Sequence, residues 1–191
     1  SMKNIVAKAT VEENFPKEFA IYDLNEFLAS LSIFKSPVLE FEEQYLTIKE
    51  EDQPHKKLTY FYSDPSVVQS PTKTITMPSE EVKFHLDMNK LLEMKRAAGV
   101  IGSPDMVLQK SSGNSSLLVK DKKNDTANNY SSDIKTDGDG EYKFFFKVEN
   151  LKLFDGDYDV KISSKNISFF KNDKSNIEYW IALEPESTYS N

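Results

Sequence analysis

From Val82 to the C-terminus the chain runs through one order of elements twice. VKFHLD (82–87) alternates apolar and polar residues as a half-buried strand does, and MNKLLEMKRAAG (88–99) follows as a helix, with Asp87 placed to cap its start and Gly99 its end. MVLQKS (106–111), SLLVKDKK (116–123) and NYSSDIKT (129–136) then read as strands, and Asp137-Gly138-Asp139-Gly140 reads as a hairpin turn. The order restarts with the strand YKFFFKV (142–148), a short helix ENLKLF (149–154), the turn Asp155-Gly156-Asp157, and the strands YDVKISS, ISFFKN and IEYWIALE. Two strand–helix–three-strand copies, about 55–60 residues apart, make an internal structural repeat. Sequence identity between them is negligible, so only the pattern of burial repeats.

Upstream there is one full copy of the pattern, preceded by a lone strand, IVAKATV (5–11). FAIYDLNEFLASLSIF (19–34) starts extended and turns helical. Asp23 can cap the helix, with Glu26 three residues on. Leu24, Phe27, Leu28 and Leu31 follow the spacing of one buried face. VLEFEE (38–43), YLTIKEE (45–51) and KLTYFYS (57–63) are the strands. Between the two regions lies YSDPSVVQSPTKTITMPSE (62–80), whose prolines 65, 71 and 78 remove ladder donors and favour extended backbone. The expected division is therefore 1–62, a connector 63–79, and a complete domain 80–191, in the α+β class with antiparallel sheets.

Composition narrows the function. The chain has no cysteine, which excludes disulfides and thiolate metal sites. It has no apolar run long enough to span a membrane and no secretory signal at its start. The net charge of −7 is unusual for a protein that wraps nucleic acid, unless its charges are segregated by face. Of 24 basic residues only Arg96 is an arginine. Lysine is a hydrated point charge, suited to weak, sequence-blind contact with phosphate.

The chemistry of an enzyme is hard to find. His55 and His85 are not part of a metal-binding pair and read as ordinary histidines. There is no phosphate-binding glycine loop of either common kind. Asp137-Gly138-Asp139-Gly140-Glu141 lacks the ligand spacing of a calcium loop and is explained by turn chemistry. No two carboxylates are marked as an acid and a base. No catalytic residue, cofactor or metal is expected. Two classes remain open from these features: a non-enzymatic all-β interaction or virion structural protein, and an enzyme with an unrecognised carboxylate site.

Three strings, AIYDLNEFL (20–28), DPSVVQSP (64–71) and IALEPEST (181–188), resemble the DNA polymerase sliding clamp of T-even-type phages, in order and spacing across essentially the whole chain. The resemblance implies the clamp fold, with sheets outside and helices inside. It implies a homotrimeric ring that encircles duplex DNA without regard to sequence, tethers the replicative polymerase and is placed on DNA by a clamp loader, in the cytoplasm of the infected bacterial host. It also implies a strand, a helix and two more strands ahead of IVAKATV, so that residues 1–62 are a partial domain lacking its first unit. Helix residues Lys90, Lys95 and Arg96, with Lys152 in the second copy, become candidates for the DNA-facing wall. Val67, Val68, Pro71, Ile181 and Leu183 become candidates for a pocket that takes a partner peptide. Neighbouring subunits are expected to join through the edge strands near 57–63 and 128–135.

Overall fold

A computed structural model describes residues 4–68 and 74–190. The chain divides into two compact units, residues 4–11 with 74–190, and residues 12–68. This differs from the sequence expectation at the N-terminus. Strand β1 (Ile5–Ala9) pairs antiparallel with β12 (Ile177–Ala182), so it completes a sheet of the larger unit instead of opening the smaller one. A lone strand without its own hairpin partner carries no sequence signal of where it pairs.

The larger unit is built from β5 (Val82–Leu86), α2 (Met88–Ile101), β6 (Asp105–Ser111), β7 (Asn114–Lys120) and β8 (Tyr130–Asp133), then β9 (Glu141–Lys147), β10 (Tyr158–Ser163), β11 (Ile167–Asn172), β12 and β13 (Thr188–Ser190). They form two antiparallel five-stranded sheets, β1-β12-β11-β10-β5 and β13-β9-β6-β7-β8. The two copies of the repeat exchange their first strands. β5 pairs with β10 of the second copy, and β9 pairs with β6 of the first. Alternation aims Val82, Phe84 and Leu86 of β5, and Tyr142, Phe144 and Phe146 of β9, into one shared core with Leu91, Met94 and Ala98 of α2. Phe146 of one sheet meets Phe170 of the other edge-to-face at 6.1 Å.

Two expectations fail locally. The DGDG segment does not close a hairpin, because β8 and β9 lie at different places in their sheet, with β6 and β7 between them. Instead Asp137 and Lys83 exchange backbone hydrogen bonds of 2.7 Å. Gly138 is needed for that close approach, since a Cβ there would stand 2.8 Å from the Glu81 carbonyl oxygen. The short helix expected at 149–154 is reduced to a 3-10 turn at Val148–Asn150. No side chain caps it, and side chains claim the backbone beyond it: the Lys95 ammonium donates to the Leu151 carbonyl, the Tyr179 hydroxyl accepts from the Phe154 amide, and the Tyr158 hydroxyl donates to the Phe154 carbonyl. Burial pushes the Tyr158 phenol up to about 12, which keeps it a donor.

In the smaller unit, α1 (Leu24–Ser32) precedes the meander β2 (Pro37–Phe41), β3 (Tyr45–Glu50) and β4 (Gln53–Phe61). Asp23 caps α1 by accepting from the Glu26 amide at 3.0 Å. The core holds Phe27, Phe34, Leu46 and Ile48. Only half of the expected helix stripe is used: Phe27 is buried and Leu31 half-buried, while Leu24 and Leu28 are 59% and 52% exposed. The turn from α1 to β2 is held by Glu50, whose carboxylate accepts from the amides of Lys35 at 2.9 Å and Ser36 at 2.7 Å. These amides, Lys35 first, hold its carboxyl below the usual glutamate range despite the opposing effect of burial.

A depressed carboxyl contributes stability that is complete above its unfolded-state pKa and disappears as pH falls through the folded one. Glu50→Gln is therefore expected to be less stable than the parent at neutral pH and to lose less on acidification from about pH 5 to 3, as read from urea midpoints across that range. Met94→Ala, at a position with no solvent exposure, is expected to cost about 2–5 kcal/mol in the unfolding of the larger unit.

Candidate nucleic-acid face and partner surface

Helix α2 is the longest helix among the described residues. Asp87 caps it, accepting from the Lys90 amide at 2.7 Å. Its stop is Gly102, in the left-handed conformation at φ 67°, and not Gly99, which lies within the helix. The buried stripe is Leu91, Met94 and Ala98. Leu92 is 46% exposed and shares the outer face with Arg96 and Val100, four and eight residues on.

The four candidate cations separate into two pairs. Lys90 is engaged, its ammonium donating to the Ser132 hydroxyl of β8 and lying 3.4 Å from the Glu93 carboxylate. Glu93 in turn accepts from the Tyr130 hydroxyl, which lowers the Glu93 carboxyl and raises the Tyr130 phenol. This network ties α2 to an edge strand. Lys95 is half-buried and holds the Leu151 carbonyl at 3.2 Å. Arg96 and Lys152 are exposed, and no ion pair holds either among the described residues.

The five pocket candidates differ in the same way. Val67 ends a 3-10 turn (Pro65–Val67) capped by Asp64 and is 55% exposed, with Val68 half-buried. Pro71 lies outside the described residues. Ile181 and Leu183 are core side chains of the larger unit, 0% and 5% exposed. A partner could reach them only by displacing neighbours.

Sequence reasoning missed a charge cluster beside the C-terminal segment. The Lys122 ammonium binds Glu184 at 2.6 Å and Glu186 at 2.8 Å, with its side chain 10% exposed. Asp105, fully buried, accepts from the Lys122 amide at 3.1 Å and the Lys147 ammonium at 2.6 Å. Burial pulls Lys122 down, but the hydrogen bonds to Glu184 and Glu186 outweigh it and leave its pKa raised. The only sequence signal was a Lys-Lys pair in a polar stretch, which looks like a solvated loop.

The fold of the chain is shared with the Helicobacter pylori beta clamp bound to a DNA ligase peptide, at a TM-score of 0.61 and 14% identity over 100% of this chain and 55% of that one. The chain is 31% identical to the sliding clamp of Vibrio phage KVP40 over 185 residues, 94% of this chain and 82% of the relative. To the sliding clamp of Enterobacteria phage T4 it is 26% identical over 198 residues, 96% of this chain and 82% of the relative. Residues 81–185 match the family model described as gp45 sliding clamp, C terminal. The class is thus the DNA sliding clamp, a processivity factor of replication, and not a virion structural protein. The chain belongs to the gp45 sliding-clamp family.

Removing the Lys122 ammonium leaves two carboxylates repelling each other beside the core. Lys122→Ala is expected to cost about 1.5–3 kcal/mol and to speed amide exchange across 184–190, whereas Lys123→Ala leaves both unchanged.

Proposed function

We propose that this chain works as a homotrimeric ring around duplex DNA, tethering the replicative polymerase without catalysing a reaction itself. The observation that carries this reading is the family match over 81–185 on a chain whose fold is shared with a solved clamp. Two sheet edges support assembly. β4 ends the sheet of the smaller unit and β8 ends a sheet of the larger one. Each presents one row of backbone groups without a strand partner, suited to pairing with a neighbouring subunit. Two different edges make a head-to-tail contact, which closes into a ring when the rotation allows it.

Arg96 and Lys152 supply the DNA-facing charge, and Lys95 and Lys90 brace the structure behind them. The DNA is held by threading, so phosphate contact is weak, independent of sequence and sensitive to salt. Of the proposed partner surface, Val67 is exposed and Val68 half-buried, and the bound peptide of the Helicobacter pylori clamp supports peptide docking as the mode of capture. A clamp loader opens or assembles the ring on DNA. The site of action is the cytoplasm of the infected bacterial host; among the described residues no helix is long and apolar enough to cross a membrane.

Primer extension on a long single-primed template with the phage's polymerase tests the reading. Addition of the protein is expected to lengthen products, and Arg96→Glu with Lys152→Glu to abolish that gain at moderate salt while sparing it at low salt. Products of unchanged length with the parent protein would overturn the function. A double variant that matches the parent at every salt concentration would overturn the assignment of the two cations.

A further inference from the structure

On the solvent face of the sheet β1-β12-β11-β10-β5, the central rows of residues differ in kind. Val6, Trp180, Phe169, Lys161 and Lys83 lie side by side across the five strands, and the neighbouring row is Lys8, Glu178, Lys171, Asp159 and His85. The second row alternates in sign until it reaches the edge strand β5, where a histidine stands beside an aspartate. Asp173, just past β11, comes to the same corner, fixed by its amide donating to the Asp157 carbonyl at 3.1 Å. His85 Nδ1 lies 3.2 Å from Asp159 Oδ1 and 3.8 Å from Asp173 Oδ2.

We propose that His85, Asp159 and Asp173 form a binding site for a divalent transition-metal ion such as zinc. One ligand atom from each of the three lies within 4.8 Å of the others. A zinc ion with ligands at about 2.1 Å requires them roughly 3.4 Å apart in a tetrahedron, so small rotations of two exposed carboxylates complete the geometry. In a chain with 31 acidic residues, this is the one such grouping among the described residues, and it contains one of only two histidines. Both carboxylates are available: Lys171 stands across the ladder from Asp159 and Lys174 follows Asp173, yet neither lysine is ion-paired to them. Asp157, a further carboxylate of this corner, accepts from the Met88 amide at 2.8 Å. An imidazole with two carboxylates selects zinc and its neighbours over calcium or magnesium, which take all-oxygen sets. The remaining position faces solvent and is open to water. The bound ion would clip edge strand β5 to β10 and to the turn after β11.

The test is calorimetric titration of the chelator-treated full chain with zinc sulfate, followed by NMR of its two imidazoles. One zinc per chain with micromolar affinity is expected, with the His85 signals moving and those of His55 still. His85→Ala is expected to weaken binding at least about tenfold, the effect of losing even an outer-sphere partner. Asp159→Asn and Asp173→Asn weaken it too, and His55→Ala leaves it intact. All four positions are exposed, so circular dichroism should show the fold retained in every variant. Zinc should also raise the melting temperature of the parent and not of His85→Ala. No saturable binding below about 1 mM, a change too small to stabilise the fold at ordinary metal levels, overturns the proposal. So does binding that survives His85→Ala or is displaced by calcium, which identifies an acidic patch.

Discussion

The exchange of first strands between the two copies of the repeat is the constraint on which the larger unit depends. β5 enters α2 and then leaves its own three strands to pair with β10, while β9 returns to pair with β6. Neither copy can complete a sheet alone, so neither has an independent core. Val82, Phe84 and Leu86 would face solvent without the second copy, and Tyr142, Phe144 and Phe146 without the first. The domain must therefore fold as a pair. Its contacts are long-range ones, whose closure entropy is met before the burial that rewards it. The same exchange explains why identity between the copies is negligible. Each first strand is matched to the other copy's surface, so the two halves are complementary and need not be alike.

Charge is arranged to serve this frame. The chain carries more acid than base, yet several of its cations are spent on stitching elements together: Lys90 joins α2 to β8, Lys95 joins α2 to Leu151, and Lys122 and Lys147 join the strands to Glu184 and Asp105. Asp105 is buried and its partner Lys147 half-buried, so desolvation of the carboxylate cancels part of the attraction. A cation that is hydrogen-bonded within the protein has less to give to phosphate. The pair proposed to face DNA, Arg96 and Lys152, is correspondingly sparse.

Much of this architecture was legible in the sequence, and the failures share a cause. The repeat, the strands and the caps Asp23 and Asp87 followed from local periodicity and short-range hydrogen bonding. Contacts distant in sequence did not. β1 was given to the wrong unit because its partner β12 lies some 170 residues away, a pairing that no local pattern encodes. Gly138 looked like a hairpin glycine when its role was a close approach to Glu81. ENLKLF had helical composition, but Lys95, Tyr158 and Tyr179 took its backbone groups. At the candidate site, sequence named the correct helix and its start but placed its stop at Gly99 instead of Gly102. Which lysine is free and which is tied depends on Ser132, Glu93 and Leu151, and none of these is marked by spacing. Ile181 and Leu183 were named from the resemblance, and a resemblance does not show which apolar residues of a strand face the core.

A sparse basic face is consistent with what a sliding protein requires. Each phosphate neutralised releases counterions, and the binding gained this way accumulates steeply with the number of contacts. A chain that bound phosphate through many fixed cations would hold one position and resist translation. A closed ring removes the need for such affinity, since dissociation then requires breaking a subunit contact. In the proposed ring, retention is transferred from the DNA face to the sheet edges. Such edges have to be ordered in the free subunit, and the Lys90–Ser132 and Glu93–Tyr130 bonds hold β8 to α2 where it would otherwise be a four-residue strand with a single neighbour. On that proposal a cation on the helix serves DNA retention through the edge it steadies, without itself touching a phosphate.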